Sequence, residues 1–155
     1  MKMSWLSNHA ISDGILRNGD AATKKAFLGV VSIDSLPGSV PRYPIFLVVN
    51  TQAHNLPGQH WIVVFIDKNK RGEVFDSLAL PTSILLSRWM NRFTRTWRRN
   101  ALSFQHPLRG TCGGYAIYYI LHRLKVSSLD DITRTLSRNL YENDNRIVSF
   151  YNALE

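Results

Sequence analysis

The sequence predicts an α+β fold in a single domain. Three observations carry that reading: helical spacing at the N-terminus, a β-rich middle from Phe27 to Asp76, and helical patterns through the remainder. A length of 155 residues and a mass of 17.7 kDa suit one domain spanning 1–155. Hydrophobic residues at 45% and aromatics at 11% supply an ordinary core, which excludes a disordered or collagen-like chain. There is no internal repeat, low-complexity tract or long linker.

Taken in order, Trp5, Leu6, Ile11, Ile15 and Leu16 predict an N-terminal helix that stops at the Asn18-Gly19-Asp20 turn. Phe27 to Ser32 reads as a short strand, and the prolines at 37, 41 and 44 mark an irregular connection. Ile45 to Asn50 is apolar without alternation, as in a strand buried on both faces. Trp61–Asp67 and Glu73–Asp76 predict a hairpin around the polar turn of residues 67–72. Leu86, Trp89, Met90, Phe93 and Trp97 then predict one helix of about 17 residues from Pro81, and Leu102–Phe104 a last short strand. Residues 112–121 are apolar nearly all round, which predicts a helix in the centre of the domain. Ser128-Leu129-Asp130-Asp131 resembles a capping box, and Asn143 is expected to cap a final helix.

The formal net charge is +8 and it is concentrated. Between Ser77 and Leu129 there is no acidic residue, while Arg88, Arg92, Arg95, Arg98, Arg99, Arg109, Arg123 and Lys125 lie there. On the predicted helix Arg88, Arg92, Arg95 and Arg99 step by four, three and four and share a face. Four like charges without a local acid repel one another, which predicts a polyanion as partner, DNA above all.

One cysteine, Cys112, excludes an internal disulfide and a cysteine-based zinc cage within one chain. His9, His54, His106 and His122 show no metal spacing, so no metal or organic cofactor is expected. No run reaches the roughly 18 apolar residues that span a bilayer, and no signal peptide opens the chain, so no membrane and an intracellular or intravirion setting are expected.

Cys112 falls at the start of the central helix, where backbone N–H groups and the helix dipole stabilise a thiolate. The glycines after it, Gly113 first, leave room for a substrate backbone. A catalytic cysteine needs a base, and the base a carboxylate to fix its tautomer. His60 heads one hairpin strand and Asp76 ends its neighbour, so antiparallel pairing puts the two side by side; Asp67 lies at the far end. Gln105, seven residues before Cys112, can fold back to donate to an oxyanion with the Cys112 N–H.

Gly58-Gln59-His60-Trp61, Phe75-Asp76-Ser77-Leu78, Gln105 and Cys112-Gly113-Gly114 run in the order His, Asp, Gln, Cys. That order and spacing resemble the adenovirus-type maturation proteases and the related Ulp1-type SUMO proteases over roughly residues 27–125. Phe27–Val30 and the approach Phe46–Thr51 are closer to the adenovirus branch, whereas Trp5–Asn8 with Ile11 and the Asp at 76 are closer to the Ulp1 branch.

The resemblance implies a compact cysteine-protease fold with a central mixed sheet and a buried helix carrying the nucleophile. It implies Trp61 as a cover over the scissile peptide, precursor proteins as substrates, and small residues, chiefly glycine, at the cleaved bond. Virion maturation in the host-cell nucleus by a monomer is the corresponding expectation. Any activating peptide would bind noncovalently, because no second cysteine exists to hold one. Two further functions fit parts of the sequence: an isopeptidase for ubiquitin-like modifiers, and a basic nucleic-acid-binding domain without activity.

Overall fold

The computed structural model describes residues 5–52 and 60–154. Gly58 and Gln59 of the motif, and His54, lie outside the described residues. Helix α1 (Asn8–Asn18) is capped by the Ser7 side chain, which accepts from the Ala10 N–H, and buries Ile11 and Ile15. A short helix the sequence reading does not contain, α2 (Ala21–Ala26), follows where Asp20 accepts from the Thr23 N–H at 2.8 Å. Asp20, read as a turn residue, is thus a helix cap.

Five strands form one sheet in chain order: β1 (Phe27–Ser32), β2 (Ile45–Asn50), β3 (Trp61–Ile66), β4 (Arg71–Phe75) and β5 (Thr96–Arg99). β1 and β2 run parallel, β2–β3 and β3–β4 antiparallel, and β4–β5 parallel. The sheet is therefore mixed, as expected. β2 and β3 are its middle, and every residue from Ile45 to Val49 and from Trp61 to Ile66 is buried.

Their side chains alternate between two cores. Phe46, Val48, Trp61, Val63 and Phe65 face α1, α4 (Cys112–Arg123) and α6 (Leu140–Ala153). Ile45, Leu47, Val49, Ile62 and Val64 face α3 (Ile84–Phe93). Helix α4 buries 10 residues from Cys112 to Arg123, which explains an apolar pattern without a polar face. Gly14 of α1 packs so closely on α4 that a Cβ there would lie 3.0 Å from Ile117 Cδ1.

Three expectations need correction. The predicted helix of residues 81–97 is two elements: α3 stops at Phe93, Thr94 caps it in extended conformation, and β5 begins at Thr96. The Arg95 N–H leaves the helical ladder to donate to Lys70 O at 2.8 Å, and sheet pairing then overrides the helical spacing of Trp97. Arg88 and Arg92 accordingly stay on α3, Arg95 lies between elements and Arg99 is on β5, so there is no four-arginine helical stripe. Residues 102–104 form no strand. Finally, α6 starts at Leu140 under an Asn139 cap; Asn143 is inside it, buried, with its side chain donating to Phe104 O and Ser137 O.

Candidate active site

The hairpin β3–β4 aligns its two ends. Val63 pairs with Phe75, which leaves His60 just before β3 beside Asp76 just after β4. His60 Nε2 donates to Asp76 Oδ1 at 2.7 Å. The rest of the Asp76 carboxylate is held by backbone: Oδ1 accepts from the Leu78 N–H at 2.9 Å and Oδ2 from the Leu80 N–H at 3.2 Å. Such a carboxylate is fixed in orientation and can hold the imidazole in one tautomer. Asp67, the other hairpin acid, bonds to Asn69 and Arg71 in the turn at the far end.

Cys112 is the first residue of α4 and is 2% exposed. It also hydrogen-bonds His60. Burial depresses the basicity of the His60 imidazole, but the bonds and charges of Asp76 and Cys112 outweigh it and push the pKa up to about 9. His60 therefore holds a proton at neutral pH, next to sulfur on one side and carboxylate on the other.

Gln105 is brought to the same end of α4 and is 2% exposed. Its Oε1 accepts from Ser77 Oγ at 2.6 Å and its Nε2 donates to Arg109 O at 2.6 Å. Its own N–H donates to Ser77 O at 3.1 Å. The glutamine is thereby tied to the residue that follows Asp76.

The two expected substrate contacts, Gly113 and Trp61, both pack on the N-terminal segment. Gly113 turns its open side to the N-terminal segment: a Cβ there would come within 3.0 Å of Leu6 Cβ and 3.3 Å of Ile11 Cδ1. Its small size lets the start of α4 pack on Leu6 and Ile11. Trp61 is 5% exposed, with its indole N–H donating to Leu6 O at 3.0 Å. It is a fixed wall, lining a groove of about 330 Å³ with Val30, Ser32 and Asn50.

Other residues of the site carry no motif. The Asn100 side chain clamps the Asp76 backbone, Oδ1 accepting its N–H at 2.9 Å and Nδ2 donating to its C=O at 2.7 Å. Asp144 on α6 is fully buried and accepts from Thr111 Oγ1, Tyr115 OH and the His106 N–H at 2.7–3.2 Å. It thus anchors both ends of the segment from Gln105 to Cys112. Trp5 is 61% exposed, and a Cβ on Gly110 would lie 2.5 Å from its ring. The likeness of Trp5–Asn8 to the Ulp1 branch hinted at it, although spacing placed Trp5 on a helix that in fact begins at Asn8.

The arginines are more distributed than the acid-free stretch implies. Arg98 pairs with Asp130 at 3.2 Å, Arg109 approaches Asp144 at 3.9 Å and Arg123 binds Glu73 at 2.8 Å. Arg99 bonds Thr82 Oγ1 at 3.2 Å, while Arg88, Arg92 and Arg95 are exposed. Among the described residues no group of three His, Cys, Asp or Glu side chains could hold a metal, and no helix is long and apolar enough to cross a membrane.

No protein-family profile matches the sequence. No curated protein matches it either. Solved structures do. The chain is similar to the ASFV pS273R protease with a TM-score of 0.71 at 19% identity, covering 98% of this chain and 67% of that one. It is similar to the SUMO protease Ulp1 at 0.53 and 16% identity, covering 95% and 75%. For ChlaDub1 from Chlamydia trachomatis the values are 0.53 and 17%, with 71% of this chain and 58% of that chain covered. The chain thus has the fold of these cysteine proteases.

Proposed function

We propose that the chain is a cysteine endopeptidase with a Cys112–His60–Asp76 triad, cutting viral precursor proteins at small or glycine-containing sites during virion maturation. The observation that carries it is the 2.7 Å His60–Asp76 bond continuing to Cys112 at a helix start. The TM-score of 0.71 with the ASFV pS273R protease, against 0.53 with the SUMO protease Ulp1, favours a viral protease over removal of a ubiquitin-like modifier.

The steps follow from the residues. His60 receives the proton as the Cys112 sulfur attacks the scissile carbonyl carbon to form a C–S bond. The oxyanion takes a hydrogen bond from the Cys112 N–H and one from Gln105, whose NH₂ carries a second hydrogen beside the one bound to Arg109 O. His60 then gives its proton to the amide nitrogen, the C–N bond breaks and the amine departs. Water, deprotonated by His60, cleaves the thioester and returns the thiol. Asp76 keeps its charge and orients the ring throughout.

The test is cleavage of a glycine-rich peptide library by the parent and by Cys112→Ala, alongside covalent capture by a ubiquitin-like C-terminal thiol probe. Cleavage that needs Cys112, with weak capture, is expected. Efficient capture would move the function to the isopeptidase reading, and equal cleavage by the alanine variant would end the enzymatic one.

A further inference from the structure

A cavity of about 220 Å³ lies beside the His60–Asp76 pair, on the face of the sheet that α3 covers. Ile33, Ile62, Val74 and Leu86, each at most 8% exposed, make an aliphatic floor, with Thr51, Thr82 and Ser83 also in the lining. Leu80, 49% exposed, and Pro81 make its rim, and His60 with Asp76 closes the wall. The rim is coupled to the chemistry, because Asp76 Oδ2 holds the Leu80 N–H at 3.2 Å while bonding His60 through Oδ1. The volume falls below the roughly 300–1,000 Å³ of pockets for whole small ligands, so it suits one side chain.

Which side chain follows from proton transfer. On the proposed protease reading, His60 must protonate the departing amine, so that nitrogen comes within hydrogen-bond reach of the ring. The residue carrying the nitrogen is the one directly after the scissile bond, and it sits against His60. The apolar slot that His60 lines is therefore adjacent to its side chain. We propose that this cavity is a specificity subsite for an aliphatic side chain, of leucine or methionine size, on the residue immediately after the cleaved bond. A glycine or an aspartate there leaves the apolar floor unfilled or forces a charge against it.

The experiment compares peptides identical up to a glycine at the cleaved bond and differing only in the next residue: leucine, glycine or aspartate. Leucine is expected to exceed glycine by about tenfold or more in kcat/KM, the scale for filling an apolar pocket. Leu80→Asp should bring the leucine-to-glycine ratio close to one, and Leu80→Met should keep it. The ratio is taken within each protein, so the fraction folded does not enter. Equal rates for all three peptides, or an unchanged ratio in Leu80→Asp, would overturn the subsite while leaving the protease standing. A parent protein that cuts no peptide overturns both.

Discussion

A charged pair lies near each end of helix α4, and the two pairs differ in what they can do with a proton. At the C-terminal end, Arg123 binds Glu73 through Nε and Nη2, both at 2.8 Å. Tyr119 OH also donates to Glu73, Arg123 Nη1 donates to Val126 O, and the guanidinium lies 4.6 Å over the Phe65 ring. Three of the guanidinium N–H groups and both Glu73 oxygens are thus bonded within the protein. Burial, with Glu73, lifts the Tyr119 hydroxyl well above its ordinary pKa, so that hydroxyl keeps its proton near neutrality. At the N-terminal end, the pair joins a histidine that still titrates to a thiol at the head of a helix. Both pairs border a cavity, of about 250 Å³ at Glu73–Arg123 and 220 Å³ at His60–Asp76, so what separates them is the titratable member beside a nucleophile.

The sharpest contrast comes from breaking each end. Cys112→Ala and His60→Ala should each lose roughly 10⁵–10⁶-fold in kcat for peptide cleavage, the scale for removing a nucleophile or its base. Asp76→Asn should be damaged less than either. At the other end, Glu73→Ala leaves the Arg123 charge buried and unpaired and should cost about 3–5 kcal/mol in denaturant unfolding. Its activity per folded molecule should persist. Lost turnover with unchanged stability in Glu73→Ala would show that the two ends are not separate in role.

Gln105→Ala should lower kcat by about 10²-fold, as expected for one oxyanion donor. An unchanged kcat would remove Gln105 from the mechanism. A smaller effect distinguishes the ends by pH. The His60 pKa is about 9 in the fold against about 6.5 for a free imidazole, so the protonated ring favours folding. That stability is complete below pH 6.5 or so and is lost as pH rises through about 9. Unfolding midpoints of the parent and His60→Gln should therefore converge between pH 6 and pH 10, and parallel midpoints would contradict the sign.

The least effect is expected from the arginines. Replacing Arg88, Arg92 and Arg95 by Gln should flatten the salt dependence of duplex DNA affinity by up to about three units, near −0.9 per phosphate. Equal slopes would make them an ordinary solvated surface. Catalysis on a short peptide is the control, since α3 supplies no group to the triad.

Determined by the sequence alone were the elements whose period is unambiguous and whose ends carry local chemistry. β2 is an unbroken apolar run, the 67–71 turn bonds to its own Asp67, and α4 is apolar on all sides because it is buried on all sides. The candidate triad was legible for a related reason: two strands joined by a tight turn place His60 against Asp76 by pairing alone. What only the tertiary structure decided rests on partners distant in the chain. Trp97 and Arg95 have helical spacing but are taken by β4 and Lys70. The arginines of the acid-free stretch find Asp130, Asp144 and Glu73 from outside it. Gly113 faces Leu6, and Asp144 on the last helix anchors the segment that ends at Cys112. Spacing encodes which side of an element is apolar, but a buried charge or a missing Cβ is explained only by the side chain across from it, and that neighbour is set by packing.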